Sequence, residues 1–314
     1  MSARANRVAL VGPSHVLGAD LKDRLASAGY PGDAVELLDL DEHVGLLTEY
    51  GDEARVVLEA ADEAFAGFEV VCFCSDAPTT ARFAPAAAAA GTAIDCTGVM
   101  SRESDVQLVG ADGSPDATGL LAIPQSATLM LAKLGEAVDL TGASCSITLP
   151  ASDLCDAGTE EMAKQASALL NLGDAPDEVF GRRLAFDLWL DVTRPDGASG
   201  RIRAELEQLG VQPPAIHAQR GSVFHGLAAS IYFPDAKAAA LTEALESVAE
   251  FGALTGANDA VDSPVRVAGL DGLHVAAVRD DPAGGAWLWS VMDNHRATTA
   301  ATLTAIATRL GRPA

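Results

Sequence analysis

Short apolar runs of four to seven residues recur through the first 125 positions, and turns and stretches of helical spacing alternate with them. Residues 7–12, Arg-Val-Ala-Leu-Val-Gly, read as a buried parallel strand. Residues 13–15 make the turn, and 18–28 carry the helical period. Strands are expected at 34–39, 69–75, 92–95 and 120–123. Residues 79–90 read as a helix, because alanine is a strong helix former and Ser75, Asp76 and Thr79 stand near its start. Gly91 ends it. This alternation predicts a doubly wound parallel sheet of the Rossmann type.

The second half has longer, alternating strands: 144–149, then 216–224 and 227–233 as neighbours joined near Gly226, then 274–279 and 287–292. Helices are expected from Thr159 to Asn171, at 200–209, at 236–250 and at 294–310. Such a pattern predicts a mixed sheet in an α+β domain. Segments rich in Pro, Asp and Gly (111–118, 193–200, 280–285) read as surface loops. The expected division is a dinucleotide-binding-type domain of 1–125 plus 295–314, and a dimerisation or substrate domain of 126–294.

Charge narrows the partners. The 314 residues carry a net charge of −23. A surface of that sign repels nucleic acid and anionic membrane, so neither is expected as a partner. No apolar run reaches the ~18 residues of a membrane span. Residues 1–6 lack a signal-peptide pattern, and a cytoplasmic location is expected. The five cysteines (72, 74, 96, 145, 155) are odd in number and mostly in apolar runs, which reads as buried free thiols. Cys72 and Cys74 offer two ligands at most, so no metal site is expected.

A dinucleotide fingerprint needs glycines where the backbone turns and where it approaches the pyrophosphate. The first turn here is Gly12-Pro13-Ser14-His15-Val16-Leu17-Gly18. Gly12 and Gly18 fit the outer positions. His15 stands at the middle one, where its side chain crowds the phosphates or itself contacts one. Pro13 removes an amide donor. Asp39, ending the second strand, is placed to bond a ribose 2′-OH and to repel a 2′-phosphate, which favours NAD over NADP; it reads equally well as an acidic loop start. Gly12, Ser14, His15, Gly18 and Asp39 are thus the cofactor candidates, and weak or absent dinucleotide affinity is the expectation.

Ile123-Pro124-Gln125-Ser126-Ala127-Thr128 resembles the Asn-Pro-Asn-Cys-Ser-Thr segment of the aspartate-semialdehyde dehydrogenase family. The resemblance runs along nearly the whole chain: Ile94-Asp95-Cys96-Thr97, the Glu161–Gln165 helix, Leu184-Ala185-Phe186-Asp187, Ser222–Gly226, and the ending Trp287 to Asp293-Asn294-His295-Arg296. The missing cysteine and the Gly-Arg-x-Leu-Ala-Phe stretch look most like the Usg-type homologues, which have no assigned reaction. The family places a nucleophilic thiolate at a helix N-terminus, which lowers a thiol pKa; Ser126 holds that place here, and a serine needs an adjacent base. Leu227 holds the place of the acid/base histidine, with His225 two residues earlier; a lone histidine in an apolar strand is more often structural. Met100 falls near the phosphate-binding arginine. The Gln and Ser-Gly-Ala-Gly loop becomes 150–156, Pro-Ala-Ser-Asp-Leu-Cys-Asp. Arg220 matches the substrate-carboxylate arginine, Glu205 the amine-binding acid, and Gln125 a substrate-side position. An ion pair with nearby acids is an equal reading of Arg220.

What the resemblance implies is therefore a catalytically degenerate homologue: a homodimer with a scaffold, regulatory or small-anion-binding role and no bound cofactor. The alternative is an active oxidoreductase on a semialdehyde or acyl phosphate, using NAD or NADP, with Ser126 or Cys155 as nucleophile and His225 as base. A hydrolase built on Ser126, His225 and Asp153 is a third reading.

Overall fold

The computed structural model describes residues 7–103, 105–110, 118–191, 197–247 and 262–312. The chain divides into two compact units, residues 1–124 with 298–314, and residues 125–297.

The first unit is built on strands β1 (Val8–Val11), β2 (Val35–Asp39), β5 (Leu58–Glu59), β6 (Val70–Phe73), β7 (Thr92–Asp95), β8 (Gln107–Leu108) and β9 (Gly119–Ala122), with helices α1 (Val16–Ser27) and α2 (Ala77–Ala90). A separate hairpin, β3 (Leu47–Tyr50) and β4 (Glu53–Val56), lies in the β2–β5 connection. The seven-stranded sheet has the order β5-β2-β1-β6-β7-β9-β8, and its pairings are parallel. β1 and β6 are fully buried, as a sheet covered on both faces requires. Phe65 packs edge-on against both Phe73 and Phe83 in its core, with ring centroids 5.9 and 5.7 Å away. The strand order reverses between β1 and β6. That is the crevice where open α/β sheets hold ligands.

The second unit contains α3 (Ser126–Ala137), β10 (Ser144–Leu149), α4 (Cys155–Leu170), β11 (Leu188–Leu190), α5 (Ala198–Gln208), β12 (Ala215–Gly221), β13 (Leu227–Phe233), α6 (Ala238–Glu246), α7 (Pro264–Val267), β14 (Leu273–Asp280) and β15 (Ala286–Met292). Helix α8 (Asn294–Leu310) closes the chain. The sheet order is β11-β12-β10-β13-β15-β14, with β10 and β12 parallel and the other pairs antiparallel. The fold is thus a parallel α/β unit and a mixed-sheet α+β unit.

Three expectations change in detail. β12 and β13 are not neighbours: β10 lies between them, pairing with both. Residues 222–226 pass across the end of β10, where the amides of Ala151 and Ser152 bond the carbonyls of Val223 and Phe224 at 2.8 and 3.0 Å. Helix α4 begins at Cys155 rather than at Thr159, because Gly158 lies inside it. A Cβ there would sit 2.1 Å from the Ala151 carbonyl oxygen, so the glycine serves close packing and not a helix break. Helix α5 begins at Ala198, inside the stretch read as a loop; residues 192–196, 111–117 and the end of the expected 236–250 helix lie outside the described residues.

Candidate functional site

The β1–α1 turn sits at the strand-order reversal. Gly12 has φ +85°, and a Cβ on it would lie 2.7 Å from the Ser75 backbone nitrogen. A Cβ on Gly18 would lie 1.8 Å from the Gly12 carbonyl oxygen. Both glycines are therefore required by the turn and by the packing of α1 against it, with or without a ligand. Two amides of the loop are engaged with backbone carbonyls. Gly12 donates to the Leu38 carbonyl at 2.9 Å, His15 donates to the Gly12 carbonyl at 3.2 Å, and Pro13 has no donor. These residues do not fit a dinucleotide pyrophosphate well: two amides are engaged, one is absent, and a side chain replaces the middle glycine. Ser14 is exposed in the same turn.

Asp39 is buried at the end of β2. Its Oδ1 accepts from the Leu40 amide at 2.9 Å, while its Oδ2 has no hydrogen-bond partner. His15, the N-cap residue of α1, makes no side-chain cap bond. Its ring centroid lies 5.7 Å from that of His43, on the turn after β2. One ligand-type atom from each of His15, Asp39 and His43 falls within 4.8 Å of the others. The cysteines are free thiols, buried except for the half-buried Cys155.

In the second unit, Ser126 is the first residue of α3 and is buried. Gln125 is the N-cap; its side chain makes no cap bond, and its Oε1 is buried without a partner. Glu205 from α5 covers this helix start. Its Oε2 accepts from the Gln125 amide at 3.0 Å and from the Thr128 hydroxyl at 2.6 Å, and its Oε1 from Arg201 Nε at 3.1 Å. A carboxylate at the positive end of a helix is favourable and serves as a cap in trans.

Arg220, on β12, is held by two acids. Its Nη2 meets Asp153 and its Nε meets Asp191, each at 3.0 Å, while Nη1 is buried and has no hydrogen-bond partner. The ion-pair reading is the one the geometry has. Asp153 is thereby turned to Arg220 and not to a histidine.

His225 is not in a strand. It lies in the 222–226 connection, and Gly226, with φ +83°, turns the chain before Leu227 begins β13. Its ring stands edge-on to His295, centroids 5.2 Å apart. His295 is the residue that the sequence reading quoted in a motif without giving it a role. It is buried, and its Nε2–H donates to the Ser152 carbonyl at 3.2 Å, an acceptor that fixes the tautomer. Asn294 ties the same place together: its Oδ1 accepts from Ser152 Oγ at 3.1 Å and from the Gly226 amide at 2.8 Å. Asp293 caps α8 through the His295 and Arg296 amides. Burial first, and then the neighbouring His225, hold the His295 imidazole below its usual range; the Ser152 carbonyl, Asp293 and Asp156 pull the other way. Cys155, φ +53°, opens α4 three residues beyond Ser152.

The structure therefore brings His225 and His295 together, and Arg220 with Asp153. Among the described residues, Ser126 makes no hydrogen bond with His225, Asp153 or Cys155.

No family model matches the chain. The aspartate-semialdehyde dehydrogenase of Legionella pneumophila is 24% identical over 99% of this chain and 97% of its own length. The USG-1 protein homolog of Azotobacter vinelandii is 28% identical over 64% of this chain and 63% of its own. Among solved structures, aspartate semialdehyde dehydrogenase II of Vibrio cholerae, complexed with ASA, superposes with a TM-score of 0.83 at 23% identity, covering 97% of this chain and 98% of that one. The two-unit α/β architecture is shared.

Proposed function

We propose that this chain, a low-identity homologue of aspartate-semialdehyde dehydrogenases, is a catalytically degenerate one, and that it acts as a homodimeric scaffold rather than in hydride transfer. The observation that carries this is Ser126. The helix start that would present a thiolate presents a buried hydroxyl, and among the described residues no base is hydrogen-bonded to it. A serine without a base is a weak nucleophile, and thiohemiacetal chemistry needs the nucleophile, the acid/base group and the cofactor together. The β1–α1 turn adds a poor pyrophosphate cradle. Small-anion binding is the lesser part of the reading: Arg220 offers Nη1, but Asp153 and Asp191 already leave its surroundings net negative.

The dimer is argued from exposed apolar side chains on the second unit. Leu170, Leu172, Phe186, Leu188 and Leu190 are all exposed, Leu172 at 97%. Leu188 and Leu190 lie on β11, the edge strand of the mixed sheet. An apolar edge of this kind is a surface that a partner copy covers.

A second reading rests on Cys155. It is a half-buried thiol opening a 16-residue helix, three positions from the serine whose carbonyl binds His295. It would serve an oxidoreductase with a relocated nucleophile.

The test is an NADP-reduction assay, repeated with NAD, on aspartate semialdehyde and inorganic phosphate. No turnover above background is expected, from the natural chain or from Ser126→Cys, since the loop and the acid/base position are changed as well. Turnover abolished by alkylating Cys155 would overturn the proposal in favour of the second reading.

A further inference from the structure

The dinucleotide-type crevice of the first unit also carries a donor set of another kind. Three groups converge there from three separate elements: His15 from the start of α1, Asp39 from the end of β2, and His43 from the turn that follows. One nitrogen from each imidazole and one oxygen of the carboxylate lie within 4.8 Å of one another. Donors sharing a zinc-type ion at about 2.0–2.2 Å stand roughly 3.3 Å apart, so small rotations of the rings close the remainder. Both histidines are half-exposed.

The second observation is Asp39 itself. The residue is 3% exposed, and its Oδ1 is fixed by the Leu40 amide. Its Oδ2 is buried and has no hydrogen-bond partner. A buried, unpartnered carboxylate oxygen is costly and calls for a cation. Two imidazole nitrogens and one carboxylate oxygen suit a borderline divalent ion such as zinc or cobalt; magnesium and calcium take mostly oxygen. Three protein donors leave at least one coordination position for water or an anion.

We propose that His15, Asp39 and His43 form a binding site for a divalent transition-metal ion of the zinc class, in the place where a dinucleotide fold engages a ribose. The site explains why a histidine stands in the middle of the first turn: it is a ligand, and crowding of a pyrophosphate is its by-product. It is independent of the catalytic state of Ser126, which belongs to the other unit.

The experiment is calorimetric titration of chelator-treated protein with Zn²⁺ in excess Mg²⁺, which masks the acidic surface, followed by absorption spectra with Co²⁺. One equivalent of Zn²⁺ is expected, with Co²⁺ bands typical of four or five ligands. His43→Gln and Asp39→Asn should each weaken binding by at least about tenfold, and Cys155→Ser should leave it unchanged. Asp39 is buried and its variant is a folding risk, so the half-exposed His43 carries the decision. Absence of stoichiometric binding would overturn the proposal. So would binding that survives both His43→Gln and His15→Gln, or that is lost in Cys155→Ser with thiolate charge-transfer bands.

Discussion

Residues that carry the resemblance turn out to be occupied with the backbone. Gln165 accepts the Leu184 and Ala185 amides on Oε1 at 2.7 and 3.0 Å, and Glu161 accepts those of Val179 and Phe180. Asp95 holds the 97–100 turn through four bonds, from Thr97 N, Thr97 Oγ1, Gly98 N and Met100 N. A buried polar side chain satisfied by several amides is costly to remove, and that suffices to keep it without any reaction. Gly12 is of the same kind. Gly12→Ala should destabilise by more than about 2 kcal/mol, since strain and a backbone clash add; a denaturant midpoint checks it. His295 gives a pH test. Its pKa is lowered in the folded state, so the unfolded chain takes up the proton first. Stability is then lost as pH falls below about 6.5, and the loss ends at the lower folded value. The melting temperature of the natural chain should fall relative to that of His295→Asn between about pH 7 and pH 5. Parallel curves would deny that His295 is held neutral.

Among the elements, the start of α3 shows a helix capped from a distant part of the chain. The cap comes from Glu205, which bonds Gln125 and Thr128. Glu205→Ala should cost about 3 kcal/mol, because it strips a buried network and leaves Arg201 without that partner; thermal unfolding reads it. Glu205→Gln should cost less. Such partners lie far apart in sequence, 77 residues for Thr128 and Glu205, so no local pattern discloses them. Local patterns did reveal the strands and helices whose apolar periods are clean: β1, β7, β10 and α8 run as the sequence predicts. What failed was order across the sheet and glycine's purpose. Nothing in residues 216–233 announces that β10 lies between β12 and β13, since both are apolar enough for either neighbour. Gly158 looks like a breaker and is a packing contact. His43 and Asp39 are four residues apart, yet His15 joins them only through the parallel pairing of β1 and β2.

At the scale of the whole molecule, homology and fold are shared with the semialdehyde dehydrogenases, and the proposal is that the reacting groups are not. A fold does not transfer a reaction to a site without its reagents. The homodimer is tested by sedimentation: the natural chain should run as a dimer, and Leu188→Arg with Leu190→Arg should run as a folded monomer. A monomer from the start would remove the scaffold's partner. No helix among the described residues is long and apolar enough to cross a membrane. The most direct measurement of the central claim, that hydride chemistry has been lost, is calorimetric titration of the metal-free protein with NADP and then NAD. The account predicts no saturable binding up to about millimolar cofactor. Saturable binding in the micromolar range, about −8 kcal/mol, would contradict it and return Cys155 and His225 to a working active site.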